Sequence, residues 1–373
     1  MYLVHDIIQS GGKDDMTTFY LVRHAEAEGN LYRRMHGQRN SMITPYGMKQ
    51  IYALADRFRD VPIDLCFTSD LLRTKTTAQA ICVPKELQMI EEPAFRELDV
   101  GCWDDLTFGY LQTFDPVGLE QFGKQPQIWK VDGSEPFASY SGRFIAAMIK
   151  IAENHPEKTV AIFSHAAVMR GVIMTLFPTA EILYSDNTCV SKLVYEDGSF
   201  QLLYQNDNSH LSPEISTAAR NRSMGKGFEK SDNLFWYRPG LTEMDELQAP
   251  SSEIVYTVMA GQKTAGFLCL STHGKTGIID YMGLRSHWRG RGRSVQLLGE
   301  AVFTFRKLGL ETLAFKKPAN GMLDDLCRRM ELQADFDGVC RMDLSTRLIP
   351  FELCTAGEPA VGYRPPVMPV PEL

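Results

Sequence analysis

Three runs of apolar, β-favouring residues in the first half of the chain end on groups that can do chemistry. Phe19-Tyr20-Leu21-Val22 leads into Arg23-His24, Leu65-Cys66-Phe67-Thr68 into Ser69-Asp70 and then Arg73, and Val160-Ala161-Ile162-Phe163 into Ser164-His165. A lone Arg-His pair after a strand is usually surface decoration. Two arginine forks and two imidazoles at three strand ends are a set of donors suited to an anion.

The segments between these ends say how they are brought together. Thr44 is placed to cap a helix with Pro45 at its first position, and Met48, Ile51, Tyr52, Ala55 and Phe58 fall on one face. Strand–helix–strand alternation predicts a parallel sheet covered by helices, and such sheets bind ligands beyond the carboxyl ends of their strands. Residues 191–204 read as a hairpin turning at Asp197-Gly198. Residues 212–233 are polar with little periodicity and read as a linker. A second periodic region starts near Phe235, with strands expected at 253–259, 265–270 and 277–284, an Arg/Gly-rich turn, and a helix from Val295 to Lys307. After Pro350 the last 23 residues hold five prolines, which predicts an extended tail.

Composition narrows the function classes. The 373 residues are enough for two domains, and 39 basic against 46 acidic residues disfavour a general nucleic-acid or membrane-surface binder. No apolar run approaches a membrane span and Met1–Ser10 has no signal-peptide pattern, so a soluble cytoplasmic protein is expected. Eight scattered cysteines with no Cys-x-x-Cys pair argue against a disulfide framework and a zinc site.

The segment Leu21-Val22-Arg23-His24-Ala25-Glu26-Ala27-Glu28-Gly29-Asn30 resembles the signature of the histidine phosphatase (phosphoglycerate mutase-like) superfamily. The resemblance continues in order through residues 37–50, Ser69-Asp70-Leu71-Leu72-Arg73-Thr74, Arg96-Glu97-Leu98-Asp99-Val100-Gly101-Cys102-Trp103, Gly133-Ser134-Glu135 and Ser164-His165. It covers about residues 17–211. Ala25 stands where the family usually has glycine, a change that adds only a methyl group.

The chemistry agrees with what the resemblance implies. A phosphomonoester is a dianion whose charge must be neutralised while its phosphorus is held in line with a nucleophile. Arg23 and Arg73 are expected to clamp its oxygens, with His165 and Asn30 as further donors. Neutral His24 is the expected nucleophile, its other ring nitrogen donating to a backbone carbonyl. Glu97 is the expected general acid and then base, which calls for a raised pKa. No metal is needed. The spacing of 141 positions from His24 to His165 suits the smaller phosphatases of the superfamily, whereas its mutases carry longer insertions there. A mutase-like phosphoryl transferase is the alternative. Aromatic residues in 107–129 either form a cap favouring an organic phosphate with an apolar body or simply a buried helix face.

In the second half, Ile278-Ile279-Asp280-Tyr281-Met282-Gly283-Leu284 leads into Arg289-Gly290-Arg291-Gly292-Arg293-Ser294 and then a helix pattern. This resembles motif A of the GNAT family of N-acetyltransferases. The resemblance implies that Met282, Gly283 and Leu284 bind the pantetheine arm of acetyl-CoA, and that Arg289, Gly290, Arg291, Gly292, Arg293 and Ser294 hold its pyrophosphate at a helix N-terminus. Residues 318–332 look like the family's later helix, led by Asn320, with Cys327 in the place of its frequent catalytic tyrosine. An amine acceptor is then implied, or else a non-catalytic acyl-CoA-binding module.

The expected fold is therefore α/β, a mainly parallel sheet with helices on both faces, followed by an α+β GNAT-like domain. The boundaries are 17–211 for the phosphatase domain, 212–233 for the linker, 234–350 for the GNAT-like domain and 351–373 for the tail. The expected function is bifunctional: a phosphohistidine-forming phosphomonoester hydrolase and an acetyl-CoA-dependent N-acetyltransferase.

Overall fold

The computed structural model describes residues 16–183, 185–223, 233–242, 247–290 and 292–352. The chain start read above as lacking a signal pattern, and the proline-rich tail from residue 353, lie outside them. Elements of the first half are β1 (Thr17–Arg23), α1 (Glu28–Tyr32), α2 (Pro45–Phe58), β2 (Leu65–Thr68), α3 (Leu72–Cys82), β3 (Met89–Glu91), α4 (Phe108–Phe114), α5 (Pro116–Lys124), α6 (Phe137–Asn154), β4 (Thr159–Ser164), α7 (Ala166–Leu176), β5 (Val190–Glu196) and β6 (Ser199–Asp207). They form a six-stranded sheet in the order β3-β2-β4-β1-β5-β6. The first four strands run parallel, and β5 and β6 add an antiparallel edge. The run Phe19–Val22 is apolar throughout because helices cover both faces of the sheet, leaving no solvent side for polar residues. Two hydrophobic clusters result, one on each face.

Helix α2 starts as its sequence predicts: the Thr44 hydroxyl accepts the Gly47 N–H at 3.0 Å, with Pro45 at the first helical position. Leu54, rather than Tyr52 or Ala55, completes the buried face with Met48, Ile51 and Phe58. Tyr52 instead stacks on Phe351, ring centroids 4.9 Å apart, where the chain returns across α2 and α3. Gln79 of α3 fastens the same return, donating to the Ile349 carbonyl and accepting from Phe351 N–H.

After α8 (Thr217–Ser223), the second half comprises β7 (Phe235–Pro239), β8 (Ile254–Ala260), β9 (Lys263–His273), β10 (Thr276–Leu284), α9 (Ser294–Lys307), β11 (Thr312–Lys316), α10 (Asp324–Arg329) and β12 (Val339–Asp343). These make a second six-stranded sheet, β12-β11-β10-β9-β8-β7, mostly antiparallel. Its one parallel pair, β10 with β11, is bridged by α9.

The polar stretch after residue 211 is more than a spacer. Ser216, Thr217 and Ala218 are buried: Asp186 accepts from Ser216 Oγ and Ala218 N–H, and the buried carboxylate of Glu26 takes hydrogen bonds from Thr217 Oγ1 and Arg220 as well as from Thr44. A buried charge needs such partners, and this segment carries them.

Helix α9 has few positions open to water. Val295, Leu298, Ala301, Val302 and Phe305 enter the core of the second half, and Leu31 and Tyr32 of α1 belong to that same core. Its polar residues Gln296, Glu300 and Thr304, spaced four apart on one stripe, are buried too. A stripe of that kind faces solvent in a helix covering a sheet alone; here α1 and the chain before β7 cover it. A Cβ on Gly299 would lie 2.4 Å from the Tyr32 ring, so glycine permits the close approach of α9 to α1. Among the described residues, no helix is long and apolar enough to cross a membrane.

Candidate active site

β1 and β4 are parallel neighbours in register Arg23↔Ser164, so the residues just beyond their carboxyl ends come side by side. Those residues are His24 and His165, with ring centroids 5.3 Å apart. His24 N–H is anchored on Ser164 O at 2.9 Å. The His24 side chain places Nδ1 2.7 Å from the Ala25 carbonyl, which only accepts, so Nδ1 carries the proton and Nε2 keeps its lone pair. Burial, reinforced by the charges of Arg73 and Arg23, holds the His24 imidazole well below its ordinary pKa, and it is neutral at physiological pH.

Arg73, at the start of α3, reaches the same place from β2. Its Nε donates to His165 Nδ1 at 3.1 Å, Nη1 to the Arg39 carbonyl at 2.7 Å and Nη2 to the Gly37 carbonyl at 2.8 Å. With Nδ1 accepting, His165 carries its proton on Nε2, 2.8 Å from Ser69 Oγ. Burial and Arg73 push His165 well down, as for His24. Burial lowers Arg73 itself to about 10, against the pull of Glu97, and it remains a cation at neutral pH.

Arg23 donates through Nη1 to the Ser185 carbonyl, while its Nε is buried without a partner. Asn30 accepts the Ala27 N–H at 3.0 Å and the Asn187 amide at 3.2 Å on Oδ1, which leaves its own amide nitrogen to donate. Glu97 is buried against the N-terminus of α7. Its Oε1 accepts Val168 N–H at 2.9 Å and Leu98 N–H at 3.0 Å, and Oε2 accepts Ala167 N–H at 3.2 Å. Three backbone donors fix that carboxylate in position beside His165, the residue preceding α7.

Five supporting residues were not singled out from sequence. Asn187 donates to the His24 carbonyl at 3.0 Å as well as to Asn30, and Thr77 Oγ1 accepts the Ala25 N–H at 2.9 Å. Ser69 holds His165, and Arg143 braces the Glu97 segment through the carbonyls of Ala94, Arg96 and Glu97. His36 lies against Gly29 and is pushed down to about 3 by burial and the charges of Arg73 and Arg34. The signal for Asn187 was the polar run Ser185–Thr188 directly before a strand in the same sheet.

The aromatic residues of 107–129 divide between core and contact between the halves. Phe122 and Trp129 pack on Trp103, and Tyr110 and Phe114 meet Trp236 of β7. Trp129 is buried, whereas Tyr110 and Phe114 stay exposed, so the buried-face alternative covers only part of this segment.

A family model described as histidine phosphatase superfamily (branch 1) matches residues 19–208. The chain belongs to the histidine phosphatase superfamily. Phosphoserine phosphatase 1 of Hydrogenobacter thermophilus is 28% identical over 200 residues, 52% of this chain and 95% of the relative. The probable phosphoglycerate mutase GpmB of Proteus mirabilis is 38% identical over 161 residues, 43% of this chain and 75% of the relative. Among solved structures, Bacillus stearothermophilus YhfR aligns with a TM-score of 0.50 at 26% identity, covering 52% of this chain and all of that one. The first half is thus a histidine-phosphatase-family enzyme of the phosphatase and phosphoglycerate-mutase kind. The family match ends at residue 208, and the second half rests on its own geometry.

There, Met282, Gly283 and Leu284 close β10 and pair with Leu268, Phe267 and Gly266 of β9. β11 pairs with β10 over Thr276–Ile279, and the β10 register shifts between Ile279 and Tyr281. The turn that follows has Gly290 and Gly292 at φ +77° and +59°, a conformation glycine adopts without strain, and leads into Ser294 at the first position of α9. A Cβ on Gly292 would lie 2.6 Å from the guanidinium of Arg329, which α10 brings against the turn and whose Nε donates to Asp325 at 2.6 Å. Arg289 Nε donates to the Leu284 carbonyl at 2.7 Å. Arg293 is buried, donating to Asn233 Oδ1 and to the His287 carbonyl, so its side chain braces the turn from inside. Arg291 lies outside the described residues. Asn320 accepts Met322 N–H at 3.2 Å in an exposed loop. Cys327 faces Cys340 in the core, Sγ to Sγ 3.7 Å.

Proposed function

We propose that the first half is a metal-independent phosphomonoester hydrolase that works through a phosphohistidine on His24. The observation that carries this reading is the His24 ring itself: neutral, its proton fixed on Nδ1 by the Ala25 carbonyl, its Nε2 lone pair among Arg23, Arg73 and His165. Nε2 attacks phosphorus and the ester oxygen leaves, taking a proton from Glu97. Water then attacks the phosphohistidine with Glu97 accepting its proton, releasing inorganic phosphate and regenerating neutral His24. Arg23, Arg73 and Asn30 hold the phosphoryl oxygens in both steps, and His165 joins them when its Nε2–H turns from Ser69 Oγ to the phosphate.

The names of the relatives support small phosphorylated hydroxy acids as substrates, phosphoserine first. The mutase alternative has support from the GpmB relatives. Incubation with phosphoserine and with 3-phosphoglycerate separates the readings: free phosphate supports a hydrolase, whereas an isomeric phosphoglycerate without free phosphate supports a mutase.

For the second half we propose acyl-CoA binding at the turn after β10. Two φ-positive glycines, a helix N-terminus and arginines from two elements converge there, which supports a diphosphate ligand. Amine acetylation is the finer reading. With Cys327 inside the core, a phenolic acid in that place is absent, and transfer would rely on another acid or on unprotonated departure of the thiolate. Calorimetry of the full chain with acetyl-CoA tests binding: no heat removes this reading, and heat without any acetylated amine supports a regulatory module.

A further inference from the structure

The helix α1 that carries Asn30 has five residues and cannot hold its own position. What holds it comes in large part from the second half of the chain. Glu28, at the start of α1, is buried, and its carboxylate is gripped by Arg306 of α9: Nη1 to Oε2 at 2.7 Å and Nη2 to Oε1 at 2.9 Å. Arg306 is itself oriented by its Nε–H on the Leu344 carbonyl at 2.9 Å. Glu28 Oε2 also takes the Met42 N–H at 3.1 Å, which ties α1 to the strand-like bridge Ala27↔Ile43. Two residues past Glu28 stands Asn30, whose Oδ1 is occupied by Ala27 and Asn187 and whose amide nitrogen is left for a phosphoryl oxygen.

We infer that Arg306 is a positioning residue for the phosphate site, acting through Glu28 and α1 to aim Asn30. The inference rests on the phosphohydrolase reading. Its physical basis is the planar fork: a bidentate guanidinium–carboxylate pair fixes orientation as well as distance, and a partly buried one is little screened by solvent. Two further contacts of the same helix with the same stretch of chain bear on it. Glu300 pairs with buried Arg34, just beyond α1, and Gly299 lies against Tyr32. The second half therefore completes the wall of the site from which Asn30 reaches in. On this account the phosphatase half depends on α9 even if the second half binds nothing.

The test is a double-mutant cycle in the full chain, with p-nitrophenyl phosphate as substrate and inorganic phosphate as competing ligand. Arg306→Met is expected to lower kcat/KM about tenfold and to weaken phosphate inhibition by a similar factor, the scale of one charge-assisted hydrogen bond. In an Asn30→Ala background the same substitution is expected to change kcat/KM less than about twofold, because its route of action is already gone. Arg306→Lys, which keeps the charge and loses the fork, should recover part of the loss. Glu28→Gln reads the same cycle should Arg306→Met not fold. Losses that multiply with Asn30→Ala, or a lowered melting temperature with unchanged kcat/KM and phosphate inhibition, would overturn the inference and leave the phosphohydrolase reading standing. A wild-type protein that neither hydrolyses the ester nor binds phosphate would overturn both.

Discussion

Arg73 and His165 are joined by an Nε–H···Nδ1 hydrogen bond of 3.1 Å, so a permanent cation determines which nitrogen of the histidine carries the proton. The arginine's other two nitrogens end on the carbonyls of Gly37 and Arg39, which makes Arg73 the point where the loop after α1, helix α3 and the end of β4 meet.

That geometry separates arginine from lysine. An ammonium cannot reach three acceptors spread around one plane, so Arg73→Lys should lose orientation while keeping charge. The expected fall in kcat/KM is about 10²–10³-fold, on the scale of a lost transition-state donor. Steady-state kinetics check it, and near-normal activity of the lysine variant would show that charge alone suffices.

Glu97→Gln replaces a carboxylate that accepts three backbone N–H groups by an amide with one acceptor oxygen. Proton transfer at the leaving oxygen and at water is lost, so kcat should drop by about 10²–10⁴-fold. Rapid quenching should find more phosphoenzyme at steady state with a good leaving group such as p-nitrophenol, because the second step suffers while the first needs little acid help.

The pairing of Arg34 with Glu300 is buried on both sides, with side chains 7% and 8% exposed. Glu300→Ala leaves a guanidinium without its carboxylate in that interior, at a cost of about 3–5 kcal/mol. The core joining α1 to the second sheet also predicts that both halves unfold together. Urea denaturation followed by tryptophan fluorescence and by circular dichroism checks both points: the two traces should coincide in wild type, and the midpoint should fall in the variant.

Histidines set an acid limit on stability. Burial, with nearby arginines, holds His36 at about 3 and His210 at about 4, against an ordinary value of 6.5. Between those values the unfolded chain binds protons that the folded chain excludes, so stability is full above about 6.5 and declines as pH falls toward 4. Each such group contributes a slope of up to about 1.4 kcal/mol per pH unit. Melting temperatures from pH 8 to pH 4 should follow that course, and a flat profile would contradict neutral buried imidazoles.

Much of the first half was legible in sequence, because its strands and its chemistry obey local rules. Val22-Arg23-His24 and Phe163-Ser164-His165 announce strand ends by a switch from apolar to ionisable residues, and a parallel pair in register brings such ends together. Asn187 and Ser69 were missed because they act on other side chains, and ordinary polar residues beside a turn carry no mark of that. The reading of 212–233 as a linker weighed its few apolar residues and not the buried carboxylate of Glu26, whose partners Thr217 and Arg220 lie almost 200 positions away. The helix from Val295 to Lys307 was legible from its apolar period, but the burial of Gln296, Glu300 and Thr304 shows only in the folded chain.

The central claim is that His24 becomes phosphorylated. Rapid acid-free quenching of the full chain with radiolabelled phosphoserine or p-nitrophenyl phosphate, followed by peptide mapping, measures it most directly. The expected result is label in the peptide containing His24, lost in acid and retained in base as a phosphoramidate requires, and absent from His24→Ala, which also releases no phosphate. Label elsewhere, or full hydrolysis by His24→Ala, would contradict the account.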